Sequence, residues 1–247
     1  MDRRLALLLL NNLSIPMENK AAILLGEPAE VLLPALLKVI HARLPSAYLA
    51  TVCLFNLSYL EDAKEMLLHY VPSDDQVVYT RVQSEYHHRP PIENPNSLVR
   101  ILEKLLQDYT PYISHSSHSV EKQAVRWAVG ILRNLVTVEE NAIALARKTS
   151  IPSLALQYLS ESTNDLSLWA RDSLEDSSLL LLVNLAKHPE CCSCVDLAKA
   201  QQSLGKLQGK GGIHDVRATA VLGLLVEASQ SKKIESVEVQ DEKKQVS

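Results

Sequence analysis

The sequence is short of aromatic residues, glycine and cysteine, and it has no long hydrophobic run. Only 4% of its 247 residues are aromatic, and Phe55 is the single phenylalanine. Leucine and alanine supply the apolar content instead, which favours helix over strand. Seven glycines are too few for the Gly-rich turns of a doubly wound nucleotide-binding fold. The four cysteines are Cys53, Cys191, Cys192 and Cys194. Three are clustered and one is distant, which is no disulfide framework and points to a reducing compartment. A cytoplasmic location, or one shared with the nucleus, is the expectation. The longest N-terminal apolar run, Leu5 to Leu10, has six residues. A signal peptide needs an apolar stretch of roughly 7–15 residues with a cleavage site, and a membrane span needs about 20. No membrane insertion is expected. The net charge of −4 gives no overall attraction to nucleic acid.

What is present is a recurring phrase. "LLLLNNLS" ends at Ser14, "TVCLFNLS" at Ser58, "VGILRNLV" at Val136 and "LLLLVNLA" at Ala186. Each is an apolar helical run closing on Asn-Leu and a small or β-branched residue. The asparagines are Asn12, Asn56, Asn134 and Asn184; in a fifth copy, "RATAVLGLLVEA", Leu224 stands in the Asn position. These five positions follow one another at intervals of 44, 78, 50 and 40 residues. An all-helical unit that returns about every 40 residues marks an α-solenoid.

The residues after each Asn recur as well. "ENKAAILLGEPAEVLLPALLKVI" follows Asn12 and "ENAIALARKTSIPSLALQYL" follows Asn134. Each gives a polar turn, "EN" opening a short helix, and then a Pro starting a Leu-rich helix, where its missing N–H costs nothing. A repeat therefore contains three helices, over about 18–26, 29–42 and 46–58 in the first complete case. The next set is expected at about 60–70, 97–109 and 118–136. The repeats divide the chain into a partial first repeat 1–15, repeats of about 16–59, 60–137, 138–187 and 188–229, and a tail 230–247. The third of these units carries an insertion loop at 72–95, with Pro72, Pro90, Pro91 and Pro95. A smaller excess falls around 161–173. The tail is charged and poor in apolar residues, and is expected to be disordered.

The endings "LFNLS", "GILRNLV" and "LLVNLA", together with "ENKA" and "ENAI" and the following Pro-led helix, resemble the armadillo repeat over roughly residues 1–229. The resemblance implies an all-α fold, a right-handed solenoid of armadillo-like three-helix repeats. It implies that third helices line a concave groove, with Asn12, Asn56, Asn134 and Asn184 facing it. A primary amide matches one peptide N–H and one C=O, so such a row can hold an extended segment by its backbone. Leu8, Val52, Gly130 and Leu180 stand one turn earlier, where importin-α-like proteins place Trp. Gly130 would let a ligand backbone approach or let two helices pack closely. An Asn near a helix end can equally cap that helix or bond the next loop.

At 100° per residue, Lys122, Arg126 and Arg133 fall within about 40° of one another. They form a basic stripe beside Asn134, suited to an acidic segment. Trp127 belongs either to the core or to the groove rim. The sequence opens directly in a third helix, so an apolar end face and self-association through an uncapped N-terminal repeat are expected.

Catalytic patterns are weak. "GKLQGKGG" at 205–212 has the wrong spacing for a phosphate loop and lacks its Ser/Thr. His188 with Cys191, Cys192 and Cys194 offers soft ligands, but adjacent cysteines chelate a tetrahedral zinc poorly. His87, His88, His115 and His118 have no accompanying nucleophile. The expectation is a non-enzymatic protein-interaction module, with no cofactor and no metal, whose partner is a protein or peptide with an acidic segment. The alternatives are a chaperone regulator of the Hsp70 nucleotide-exchange type and the substrate-recruiting part of a ubiquitin-ligase or trafficking assembly.

Overall fold

The computed structural model describes residues 2–43, 46–72, 92, 94–113, 120–161 and 173–245. Every regular element among them is helical. In chain order they are α1 (Arg3–Leu13), α2 (Met17–Leu24), α3 (Pro28–His41), α4 (Ala47–Leu57), a 3-10 turn (Glu61–Ala63), α5 (Lys64–Leu68), α6 (Leu98–Ile113), α7 (Val120–Leu135), α8 (Glu139–Lys148), α9 (Ile151–Glu161), α10 (Leu174–Ala186), α11 (Pro189–Cys192), α12 (Leu197–Leu204) and α13 (Gly212–Gln245).

The helices group in threes and stack in two rows. One row is α1, α4, α7, α10 and α13, each packed on the next; the other is α3, α6, α9 and α12, packed in the same serial way. The rows meet pairwise, α3 on α4, α6 on α7, α9 on α10 and α12 on α13. The short helices α2, α5, α8 and α11 bridge to α4, α7, α10 and α13 respectively. One continuous core of Leu, Ile, Val and Ala runs between the rows. The helix α4 is covered by α1, α3 and α7 and is apolar nearly all round, with Ala47, Leu49, Ala50, Cys53, Leu54, Phe55 and Leu57 buried. The helices α6 and α7 are instead amphipathic, with stripes such as Leu98, Leu102, Leu105 and Leu106 buried.

The "EN" phrase closes the turn between successive groups. The Asn19 amide donates to the Leu13 carbonyl at 2.9 Å and the Asn141 amide to the Leu135 carbonyl at 3.0 Å, each six residues back. One position later, the buried Lys20 ammonium donates to the carbonyls of Ser14 and Ile15, and the Cys192 thiol to that of Ala186. Helix C-terminal carbonyls left without intrahelical partners are thereby satisfied. Burial lowers the Lys20 pKa below the ordinary lysine value.

Three expectations differ from the structure or fall outside the described residues. Most of the 72–95 insertion and nearly all of the 161–173 excess lie outside the described residues. The two ends of the former meet directly: the Leu98 N–H donates to the Tyr70 carbonyl at 2.8 Å. The charged segment after Ser229, expected to be disordered, continues α13 as helix to Gln245. Its Lys, Glu and Gln residues are good helix formers, and no Gly or Pro interrupts them. Lack of apolar residues limits burial; it does not stop a helix.

Candidate interaction surface

The row asparagines act between helices. The Asn56 amide donates to the Asn11 side-chain oxygen at 2.7 Å and to the Ser14 hydroxyl at 3.2 Å. The Asn134 amide donates to the Ser58 hydroxyl at 2.9 Å. The Asn184 amide donates to the Arg133 carbonyl at 3.2 Å. Each thus reaches back to the C-terminal end of the preceding helix in the row, which also makes successive row helices parallel. The acceptor oxygens of two are engaged too: that of Asn134 by Arg133 Nε and Nη2, and that of Asn184 by the Lys187 ammonium at 3.0 Å. Asn134 is buried, Asn56 half-buried, and Asn12 exposed. Sequence reasoning left these amides to a ligand or to a cap or loop bond; in the structure three of the four donate to the C-terminal end of the neighbouring helix.

Gly130 is buried against a side chain of its own molecule. A Cβ there would lie 2.7 Å from Cδ2 and Cε2 of the Phe55 ring. The closeness of α4 and α7 therefore depends on glycine at this position, which favours the helix-packing role over approach by a ligand.

Around this contact the structure builds a cluster of aromatic and basic side chains. Phe55 stands edge-on to Tyr59 at 5.1 Å and tilted against Trp127 at 4.7 Å. The Arg133 guanidinium lies over Phe55 at 5.5 Å, and its Nη2 donates to the Tyr59 hydroxyl at 3.0 Å. The Arg126 guanidinium sits over Trp127 at 4.5 Å. Of the basic stripe, Arg133 is buried, whereas Lys122 and Arg126 are half-buried. Trp127 is also half-buried and Tyr59 is exposed, so the cluster opens outward through Arg126, Trp127 and Tyr59. Sequence reasoning missed Phe55 and Tyr59 as partners of Arg133. The available signal was the chain's only phenylalanine directly preceding a row Asn.

Of the remaining candidates, His87, His88, His115 and His118 lie outside the described residues, and the buried cysteines are not activated. Burial pushes the Cys53 and Cys191 thiols up to about 12, and that of Cys192 upward as well, so these sulfurs stay protonated at neutral pH, the opposite of an activated nucleophile. Among the described residues, no group of three or more His, Cys, Asp or Glu side chains is placed to hold a metal ion. None of the described helices is long and apolar enough to cross a membrane. No family model matches the chain, and neither a curated protein nor a solved structure matches it.

Proposed function

We propose that the helical stack is a right-handed solenoid of the armadillo type and works as a non-enzymatic protein-interaction module, binding an acidic segment of a partner protein. The observation that carries this reading is the cluster joining α4 and α7, where Arg126 lies over Trp127 and Tyr59 is exposed. A guanidinium over an indole stays charged and planar in a cation–π contact, and that chemistry suits a carboxylate. The recognition is by side chains. A backbone-gripping ladder of amides is less favoured, because Asn56, Asn134 and Asn184 already donate within the stack.

The test is binding of fluorescently labelled acidic peptides, followed by anisotropy at several salt concentrations. Arg126→Glu should weaken binding at least several-fold and flatten its salt dependence, since screening acts on the attraction removed. Unchanged binding in a folded variant would move the site off this surface. Docking on a folded domain, as in the chaperone-regulator reading, would then lead.

A further inference from the structure

We infer that the two ends of the stack fit each other, so that α1 of a second copy of this chain docks on the outer face of α13, head to tail. The inference is independent of the proposed peptide site. It starts from an unused connector. Asn56, Asn134 and Asn184 occupy equivalent positions, and each donates to the helix preceding it in the row. Asn12 holds the same position on α1 and is exposed, with no helix before it among the described residues. The apolar positions that share this outward face are open too: Leu5 is 60% and Leu9 is 54% exposed. Their counterparts on α4, Leu49 and Cys53, are buried, and the Cys53 thiol donates to the Leu7 carbonyl of the preceding helix.

The opposite end has the matching shape. Val216 on α13 is 64% exposed. Beside it a hollow of about 480 Å³ opens between α12 and α13, lined by Thr219, Leu222, Gly223 and Val226 among others. A Cβ built on Gly223 meets only open space. Inside the stack a glycine of the row, Gly130, receives the bulky Phe55 ring of the neighbouring helix. Leucines at one end and a glycine-floored hollow at the other pair a bulky side chain with a glycine in the same way, with the glycine on the earlier helix instead of the later one.

The register agrees with the packing inside the stack. With Asn12 aligned to Leu224, the α1 residues that meet α4, Leu7, Asn11 and Ser14, correspond to Thr219, Gly223 and Val226, which line the hollow on α13. The proposed junction thus continues a packing that the chain already makes between each pair of row helices. Such a contact is heterologous and does not close on itself, so it yields open chains of copies.

The test uses the full chain and two blocked ends, followed by sedimentation velocity over a wide concentration range. Wild type should form a ladder of species that grows with concentration. Leu9→Glu blocks one end and Val216→Glu the other, and each variant alone should be monomeric. Mixed in equal amounts, they should form a dimer and nothing larger, because each retains one intact end. Circular dichroism checks that both fold, and Asn12→Arg replaces Leu9→Glu should that variant lose helicity. A wild type that stays monomeric, or a mixture that stays monomeric or grows beyond the dimer, overturns the inference. So does a Val216→Glu variant that still pairs, since that indicates a two-fold contact between α1 helices.

Discussion

At the scale of single residues, the same amino acid at the same repeat position carries different loads. Asn134 is buried; its amide holds Ser58 of the preceding helix and its oxygen receives the Arg133 guanidinium. Removing it leaves a buried cation and a hydroxyl short of partners, a loss worth about 1–3 kcal/mol. Asn12 is exposed, and among the described residues no helix stands before it to take such a bond. We therefore expect Asn134→Ala to lower the urea midpoint clearly and Asn12→Ala to leave it nearly unchanged at a dilution that keeps the chain monomeric. Equal effects of the two substitutions would contradict the inter-helix role. The sequence placed both asparagines in one class because a repeat pattern reports position, and it says nothing about whether a preceding helix is there to bond. The same blindness hid the Phe55–Gly130 contact: the two residues are far apart in sequence, and only the stacked helices bring the ring to the glycine.

At the scale of elements, the helices of the first complete group agree closely with the apolar periodicity. The expected 18–26, 29–42 and 46–58 meet Met17–Leu24, Pro28–His41 and Ala47–Leu57. Pro at the start of α3 and the "NLS" ending of α4 made those boundaries legible. The end of α13 was illegible because composition was taken as a guide to order, while helix propensity decides the backbone here. Beyond Ser231 the segment offers few apolar side chains for burial. Truncation after Ser231 should therefore remove helical circular dichroism signal in proportion to its length and shift Tm by only a few degrees. A large fall in Tm would show that this part of α13 is packed.

At the scale of the whole molecule, serial stacking makes stability a matter of neighbours. Each group of three helices rests on the groups before and after it, so terminal groups have support on one side only. The helices α1 and α2 also leave Leu5, Leu9, Ile15, Met17 and Leu25 exposed. Amide hydrogen exchange should consequently be fastest there, and slowest in α4, α7 and α10, which have row neighbours on both sides. Uniform protection along the chain would mean that the stack unfolds as one block. That the fold is all-helical was readable from the recurrence of one phrase. The aromatic and basic cluster was only half readable, since the spacing of Lys122, Arg126 and Arg133 revealed a stripe but not that Arg133 turns inward to Tyr59.

The bond from the Leu98 N–H to the Tyr70 carbonyl has an engineering meaning. It brings the two margins of the long interval side by side, so the distance between α5 and α6 is set by that contact and by packing. The number of residues in the interval does not set it. Doubling the length of a flexible closed loop costs only about 0.6 kcal/mol. This makes the junction a natural grafting point: a tag, a reporter or an entire small domain whose own termini lie close together can be spliced in there while the rows on either side keep their register.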